Sequence, residues 1–214
     1  MIDLYVHPFA SFAWKALIAA YERDVPFRAC VVDPDHPEHG ARIAQLSPTG
    51  QFPALVDGRH EVTQSNAVVE YLDRIGRAPP LVPRDADLAL QARMLASVFD
   101  DYVNAAQSRV VIDALQPEGA RDPLAVQQAL RTLDQAYAWL ATRIAGPWAT
   151  GEDFTLADCA AAPALFYADW VHPIPPGALR DYRARLLARP SVARVVNEAR
   201  PYRALYPLGA PDRD

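Results

Sequence analysis

The stretch LSPTGQFPALVDGRHEVTQSNAVVEYLD, residues 46–73, combines a turn, two strands, a helix start and a candidate anion site. Prolines and a glycine interrupt its first half, which predicts an irregular loop. Short apolar runs at residues 54–56 and 61–63 flank the tetrad Asp57-Gly58-Arg59-His60, a pattern typical of a β-hairpin. We therefore expect a hairpin at the centre of the fold.

The second half of this stretch predicts a helix. Ser65 stands before Ala67, Val68, Tyr71 and Leu72, which follow helical spacing. The Ser65 hydroxyl is therefore predicted to cap the helix. Because free N–H groups at a helix start attract anions, the end of the hairpin is also a predicted anion site.

The residues before the hairpin predict alternating strands and helices. An apolar run at 2–6 indicates a strand, and an amphipathic helix follows from about Ser11, with Lys15 off its apolar face. Residues 27–32 indicate a second strand parallel to the first. The next segment is irregular, with room for a short helix at about 41–45. With the hairpin and a helix at 65–75, the order is β-α-β-α-β-β-α, which the thioredoxin-like fold requires.

The first strand-to-helix turn decides which chemistry this fold can support. Thioredoxin-like redox proteins carry Cys-x-x-Cys there, where the helix start lowers the thiol pKa. Here the turn reads FASFAWK, residues 9–15, without a cysteine. The turn argues against dithiol oxidoreduction and favours a protein that binds an external thiol at the same place.

Phe52-Pro53 and Gln64-Ser65, with twelve residues from Pro53 to Ser65, resemble the glutathione-binding half of the cytosolic glutathione transferases. The resemblance implies a cis bond at Pro53 and main-chain pairing between Phe52 and the cysteine part of glutathione. It also implies that Gln64 and Ser65 hold the γ-glutamyl end, where a helix start favours a carboxylate.

The same resemblance implies that Gln51 and His39 contact the glycine carboxylate of glutathione. A surface loop histidine is the alternative interpretation of His39. The other four histidines share no metal-ligand spacing and are interpreted as structural, so no metal site is expected. They are His7, His36, His60 and His172.

Ser11 is the candidate catalytic residue, because in this family a Tyr, Ser or Cys on the first turn hydrogen-bonds the glutathione sulfur. Each unit by which the thiol pKa falls, about 1.4 kcal/mol, gives nearly tenfold more thiolate at neutral pH. A simple N-cap role for Ser11 is the alternative. The position usual for Ser or Cys in many relatives falls on Ala10, and Tyr5 on the first strand is a reserve candidate.

A proline-rich run, GRAPPLVPRD at residues 76–85, marks a domain boundary. We expect a thioredoxin-like domain over residues 1–78, a linker over 79–86 and an all-helical domain over 87–214. Beyond the linker, apolar residues recur at helical spacing without strand-like alternation, and short punctuated helices of this kind form a bundle rather than a coiled coil.

The segment FTLADCAAAPALFYAD, residues 154–169, closely resembles a core helix of the transferase family's second domain. Thr155 and Asp158 have the spacing of a capping box, and Phe154 and Cys159 that of a hydrophobic staple. The expected role is structural.

In this family the electrophilic substrate lies between the first turn and the long helices predicted at about 86–114. Four residues are candidates for lining that cleft, although an aromatic residue at helical spacing is commonly part of a core. They are Phe12, Trp14, Tyr102 and Arg109.

Composition narrows the partners. The net charge is −5 with no block of basic residues, so neither nucleic acid nor an anionic membrane is expected. No run of 18 uncharged apolar residues or basic leader is evident, which favours the cytoplasm. Two cysteines are too few for a disulfide framework.

The resemblance as a whole implies a bacterial-type glutathione transferase, a homodimer that joins glutathione to a small hydrophobic electrophile without a metal or second cofactor. Two alternatives stay open. One is a glutathione-binding protein on the same fold with little or no turnover, which Ala10 favours. The other is a glutathione-dependent isomerase of the related zeta class, which the missing Ser-Ser-Cys run argues against.

Overall fold

The computed structural model describes residues 1–214. The first part of the chain forms a four-stranded sheet with three helices. Its elements are β1 (Ile2–Val6), α1 (Ser11–Glu22), β2 (Phe27–Val31), α2 (Pro37–Leu46), β3 (Ala54–Asp57), β4 (His60–Thr63) and α3 (Ser65–Ile75).

The strand order in the sheet is β2-β1-β3-β4. β1 and β2 are parallel, with Ile2 opposite Phe27, and β3 is antiparallel to both β1 and β4. Gly58 begins the two-residue hairpin turn with a φ of +58°, which glycine adopts at no steric cost. The predicted thioredoxin-like fold and its central hairpin are confirmed.

α2 is longer than the sequence indicated. We expected a short helix at about 41–45, but the helix already starts at Pro37. A proline suits the first helical position because its missing N–H would have no partner there, and its fixed φ is already helical. The proline that suggested irregular structure is therefore the start of the helix.

The second part of the chain is all-helical. Its elements are α4 (Ala86–Val98), a π-helical segment (Phe99–Asn104), α5 (Ala105–Ala114), α6 (Pro123–Ala141), α7 (Leu156–Val171), α8 (Ala178–Ala188) and α9 (Pro190–Ala199), with 3₁₀ turns at Glu118–Ala120 and Arg200–Leu205. α4, the π-helical segment and α5 follow one another without a break. None of the helices combines the length and the apolar character that a membrane span requires.

The two parts share one continuous hydrophobic core. α1 packs against α3 on one side and against α7 on the other. Both α1 and α7 carry runs of buried alanines, such as Ala19 and Ala20 in α1 and Ala160 and Ala161 in α7. Small side chains allow two helices to approach closely, so α1 is covered by its own domain and by the helical one.

The start of α7 is fixed by Asp158, whose buried carboxylate accepts four hydrogen bonds. They come from the Thr155 N–H (2.8 Å) and hydroxyl (3.1 Å), the Ala149 N–H (2.9 Å) and the Tyr182 hydroxyl (2.6 Å). The predicted helix start is therefore also a junction between α7, α8 and the preceding loop.

The C-terminal tail after Pro207 has few buried residues, and its last two residues are held by ion pairs. Tyr206 is buried, and Arg213 pairs with Asp169 of α7. The Asp214 carboxylate lies 2.5 Å from Arg200 and 2.6 Å from Arg203. Ion pairs rather than apolar burial therefore anchor the last residues, which hydrophobic periodicity could not reveal.

Candidate functional site

A cavity of about 460 Å³ lies where the loop before β3 and the start of α3 face the helix formed by α4 and the π-helical segment. Six of the residues singled out from the sequence line it, and so do six others. The first group is Phe12, Gln51, Phe52, Pro53, Gln64 and Ser65; the second is Ser47, Gly50, Asn66, Ser97, Asp100 and Asp101.

The loop before β3 presents free main-chain groups to this cavity. The Phe52–Pro53 peptide bond is cis, as the sequence resemblance implied. Neither the N–H nor the C=O of Phe52 forms a hydrogen bond within the chain. Both remain available to pair with an extended peptide in the manner of an added strand.

Ser65 does not cap α3, contrary to the prediction from the sequence. Ser65 is the first helical residue, and Gln64 holds the capping position with a φ of +69°, without a side-chain cap. Positive φ is uncommon for a residue other than glycine, and such strained positions cluster at functional sites. No side chain occupies the free N–H groups of residues 65–67, and Ser65 keeps its hydroxyl for other partners. This helix start can therefore receive an anion.

Asp100, on the opposite wall, forms a buried ion pair that the sequence did not reveal. Lys15 Nζ lies 2.5 Å from Asp100 Oδ2 and 2.6 Å from Asn66 Oδ1, and the Asn66 amide donates to Asp100 over 3.2 Å. Burial lowers the pKa of Lys15 and raises that of Asp100, and the ion pair opposes both shifts. We expected Lys15 to lie off the apolar face of α1, but it is only 1% exposed.

Ser11 begins α1, and Ala10 holds the capping position without a side-chain cap. The N-cap interpretation of Ser11 is therefore wrong. Its side chain is half-buried and does not line the cavity, whereas Phe12 is exposed and does. The main-chain N–H groups of Ser11 and Phe12 have no acceptor within the chain, so this helix start also offers free donors.

The turn that precedes Ser11 is held by side chains. Trp14 Nε1 donates to the carbonyl of Pro8 (2.6 Å), and the Tyr167 hydroxyl donates to the carbonyl of Phe9 (2.8 Å). The Phe9 N–H donates to His7 Nδ1 (3.1 Å). The sequence analysis assigned none of these residues to holding the turn. The available signal was an aromatic residue with a hydrogen-bond donor next to an alanine, once on α1 and once on α7.

Three of the residues proposed to bind an electrophile lie elsewhere. Trp14 is fully buried in the core against Phe166 and Tyr167, so it cannot line a cleft. Tyr102 is exposed and lines a separate groove of about 420 Å³. Arg109 lies on the surface, 4.0 Å from the carboxylate of Asp122, the residue that caps α6. Helical spacing gave the correct helices but not the side that each residue faces.

His39 and Tyr5 also lie outside the cavity. The His39 Nδ1 lies 2.7 Å from the carbonyl oxygen of Val31, and its ring meets Tyr5 edge-to-face at 5.9 Å. Tyr5 is buried in a small cluster beneath the sheet, and burial raises its pKa. Both contacts are structural. No group of three or more His, Cys, Asp or Glu side chains is arranged to hold a metal ion.

Residues 9–75 match the family described as "Glutathione S-transferase, N-terminal domain", and residues 123–196 match "Glutathione S-transferase, C-terminal domain". The chain is 23% identical to probable maleylacetoacetate isomerase 2 of Drosophila melanogaster, over 98% of this chain and 89% of the relative. It is 28% identical to glutathione S-transferase Z1 of Arabidopsis thaliana, over 78% and 74%.

A solved structure with bound glutathione has the same fold. It is a glutathione S-transferase from Methylobacillus flagellatus, which aligns with a TM-score of 0.80 and 24% identity over 91% of this chain and 98% of that one. The similarity extends over both the sheet domain and the helical domain.

Proposed function

Because the chain belongs to the glutathione S-transferase family, we propose that it activates the thiol of glutathione for attack on an electrophilic small molecule. One observation carries the proposal: the free main chain of Phe52 and the uncapped start of α3 line the same cavity. That pairing suits a short peptide with a charged amino-acid end.

In the proposed complex, the cysteine part of glutathione pairs with the main chain of Phe52 beside Pro53. The γ-glutamyl carboxylate rests on the Ser65 hydroxyl and the N–H groups of α3, with Gln64 beside it. Gln51, at the exposed end of the cavity, is assigned to the glycine carboxylate. His39 contributes to that carboxylate only if its ring turns away from Tyr5.

The proposed chemistry takes place at the start of α1. Placed there, the glutathione sulfur meets the Ser11 hydroxyl and the free N–H groups of Ser11 and Phe12, which stabilise the thiolate relative to the thiol. The thiol proton passes to solvent, and the thiolate attacks an electrophilic carbon held beside Phe12. A carbon–sulfur bond forms as the bond to the leaving group breaks, which for an aryl chloride releases chloride. Glutathione supplies the nucleophile, so the proposed reaction uses no metal or second cofactor.

Glutathione-dependent isomerisation is the second candidate. It is favoured by the relative that aligns over 98% of the chain and carries the name probable maleylacetoacetate isomerase 2. Both candidates need the same thiolate at the same helix start, and they differ in whether glutathione stays on the product.

We include a homodimer and a cytoplasmic location in the proposal. Leu90 and Met94, one turn apart on α4, are 67% and 46% exposed, and apolar side chains at such spacing suit contact with a second subunit. Cys30 and Cys159 are free and buried, which fits a reducing compartment. Sedimentation of the purified protein tests the dimer, and a monomer at all concentrations would contradict it.

Calorimetric titration with glutathione, followed by thiolate absorbance of the complex against pH, tests the central proposal. We expect binding and a thiol pKa below the value of free glutathione. Product analysis then separates transfer to an activated aryl chloride from isomerisation of maleylacetoacetate. Binding with an unchanged thiol pKa would instead support a glutathione-binding protein without turnover, and no binding would refute the proposal.

A further inference from the structure

The turn before Ser11, residues 7–10, is fixed by a hydrogen bond from the other domain. The hydroxyl of Tyr167, in the middle of α7, lies 2.8 Å from the carbonyl oxygen of Phe9. The neighbouring carbonyl, that of Pro8, accepts from Trp14 Nε1 at 2.6 Å. Two consecutive peptide groups are therefore held by buried aromatic donors, which sets the direction in which the chain enters α1.

The side chain of Tyr167 is buried and packed against other aromatic rings. It is 4% exposed, and its ring packs edge-to-face against Phe9 at 5.5 Å and against Trp170 at 5.5 Å. Phe9 O is the hydrogen-bond partner of its hydroxyl, and burial raises the pKa of Tyr167, so the hydroxyl stays protonated and donates. Without that donor the Phe9 carbonyl would lose its partner, and a carbonyl left unpaired in such a place favours a different turn conformation.

We propose that Tyr167 is a positioning residue for thiol activation, because its hydroxyl fixes the turn that places Ser11 and the free N–H groups of α1. The inference rests on the proposed function. It assigns to the helical domain a part in the chemistry, whereas the contacts proposed for glutathione binding lie in the sheet domain. Stabilisation by fixed donors depends on their geometry, and a misplacement of about 1 Å costs up to about 100-fold in rate.

Tyr167→Phe tests this, since it keeps the ring and removes only the donor. We expect the thiol pKa of bound glutathione to rise by about one unit, and kcat/KM at neutral pH to fall about tenfold. Measured at a pH below the thiol pKa of either complex, the dissociation constant of glutathione should stay within about twofold, because Phe52 and Ser65 are untouched. At a pH above the raised pKa, turnover should approach that of the unchanged protein.

Two control variants separate positioning from loss of stability. Tyr137→Phe removes another buried hydroxyl that donates to a carbonyl, that of His172 at 3.0 Å, which is not part of the turn. Tyr206→Phe removes a buried hydroxyl that has no partner, from a ring 6.5 Å from Phe9. Both should leave the thiol pKa and the pH profile unchanged, whatever they do to the melting temperature.

The outcomes are distinct. A raised thiol pKa in Tyr167→Phe alone supports the inference. The same thiol pKa and pH profile in Tyr167→Phe as in the unchanged protein would overturn it while leaving the proposed function intact. An equal effect in Tyr137→Phe would also overturn it, because general loosening would then be the cause. If the unchanged protein does not bind glutathione, the proposed function itself is wrong.

Discussion

The ammonium group of Lys15 lies 2.5 Å from the carboxylate of Asp100, and this ion pair joins α1 to the π-helical segment beneath the candidate site. Lys15 is 1% exposed, so its charge has little water to stabilise it. Asn66, the second residue of α3, bonds to both charged groups. One buried cluster thus links three elements that surround the cavity.

Lys15→Met should therefore destabilise the protein strongly. The substitution leaves the Asp100 carboxylate buried without its cation, and breaking one side of a buried pair costs about 3–5 kcal/mol. Urea denaturation followed by circular dichroism measures the change. The double variant Lys15→Met with Asp100→Asn should recover part of the loss, because no uncompensated charge then remains.

A surface ion pair provides the contrast. Arg28 and Asp3 lie 2.6 Å apart, but Arg28 is largely exposed, so Arg28→Met should change the denaturation midpoint only slightly. If Lys15→Met lowered the free energy of unfolding no more than Arg28→Met does, the buried pair of Lys15 would stabilise the fold no more than a surface pair.

The start of α3 gives a second prediction. Ser65→Ala should weaken glutathione binding by about 10- to 150-fold, since a hydrogen bond to a charged group contributes about 1.5–3 kcal/mol. Ser97→Ala removes a hydroxyl from the opposite wall of the same cavity and should have a smaller effect. Calorimetric titration of both variants with glutathione measures the two affinities. If Ser65→Ala and Ser97→Ala bind glutathione equally well, the γ-glutamyl carboxylate binds elsewhere.

The sequence predicted the features that depend on neighbouring residues. The hairpin at 54–63 and the helix from Ser65 follow from turn residues and helical spacing within one short stretch. The predicted order of strands and helices is the order that the thioredoxin-like fold requires. The position of Ser65 was off by one, because Gln64 adopts a positive φ that its residue type does not predict.

What the sequence could not predict depends on contacts between the two domains. Helical spacing placed Lys15 off the apolar face of α1, but α1 is covered by α7 as well as by α3. Asp100 and Asp101 reach the cavity from a π-helical segment, which shifts the register of a long helix. Trp14 was placed in a cleft because helical spacing does not distinguish a core from a cavity.

The start of α7 gives a third prediction, which uses the hydrogen bonds of Asp158 that the sequence did not show. Thr155→Ala should cost about 0.5–2 kcal/mol through the lost cap. Asp158→Ala should cost more than about 3 kcal/mol, because donors from Thr155, Ala149 and Tyr182 then lose their acceptor. Thermal unfolding of both variants checks the order, and equal losses would mean that only the cap matters.

Ser11 gives the fourth prediction. Ser11→Ala should raise the thiol pKa of bound glutathione and lower turnover of an activated aryl chloride by about tenfold or more. Ser11→Thr keeps the hydroxyl and should retain most of the turnover. If Ser11→Ala keeps full turnover, the N–H groups at the start of α1 activate the thiol without the hydroxyl, and the catalytic assignment of Ser11 is wrong.

The contact between α1 and α9 gives the fifth prediction, on acid stability. The Glu22 carboxylate accepts a bidentate pair from Arg189 at 2.8 and 2.7 Å and a hydrogen bond from Ser191. Burial raises the pKa of Glu22, but these hydrogen bonds and the Arg189 charge outweigh burial and bring the pKa below its usual value. Because the unfolded chain then binds the proton more readily, the stabilisation by Glu22 is complete above the ordinary glutamate pKa of about 4.3. It is lost as the pH falls through the lower folded pKa.

Glu22→Gln should therefore reduce the free energy of unfolding at neutral pH, and its stability curve should meet that of the unchanged protein in acid. Urea denaturation at a series of pH values measures both curves, and Glu118→Gln, at an exposed glutamate, serves as the control. Curves for Glu22→Gln that stay parallel to those of the unchanged protein down to the acid limit would show that Glu22 keeps its ordinary pKa in the folded chain.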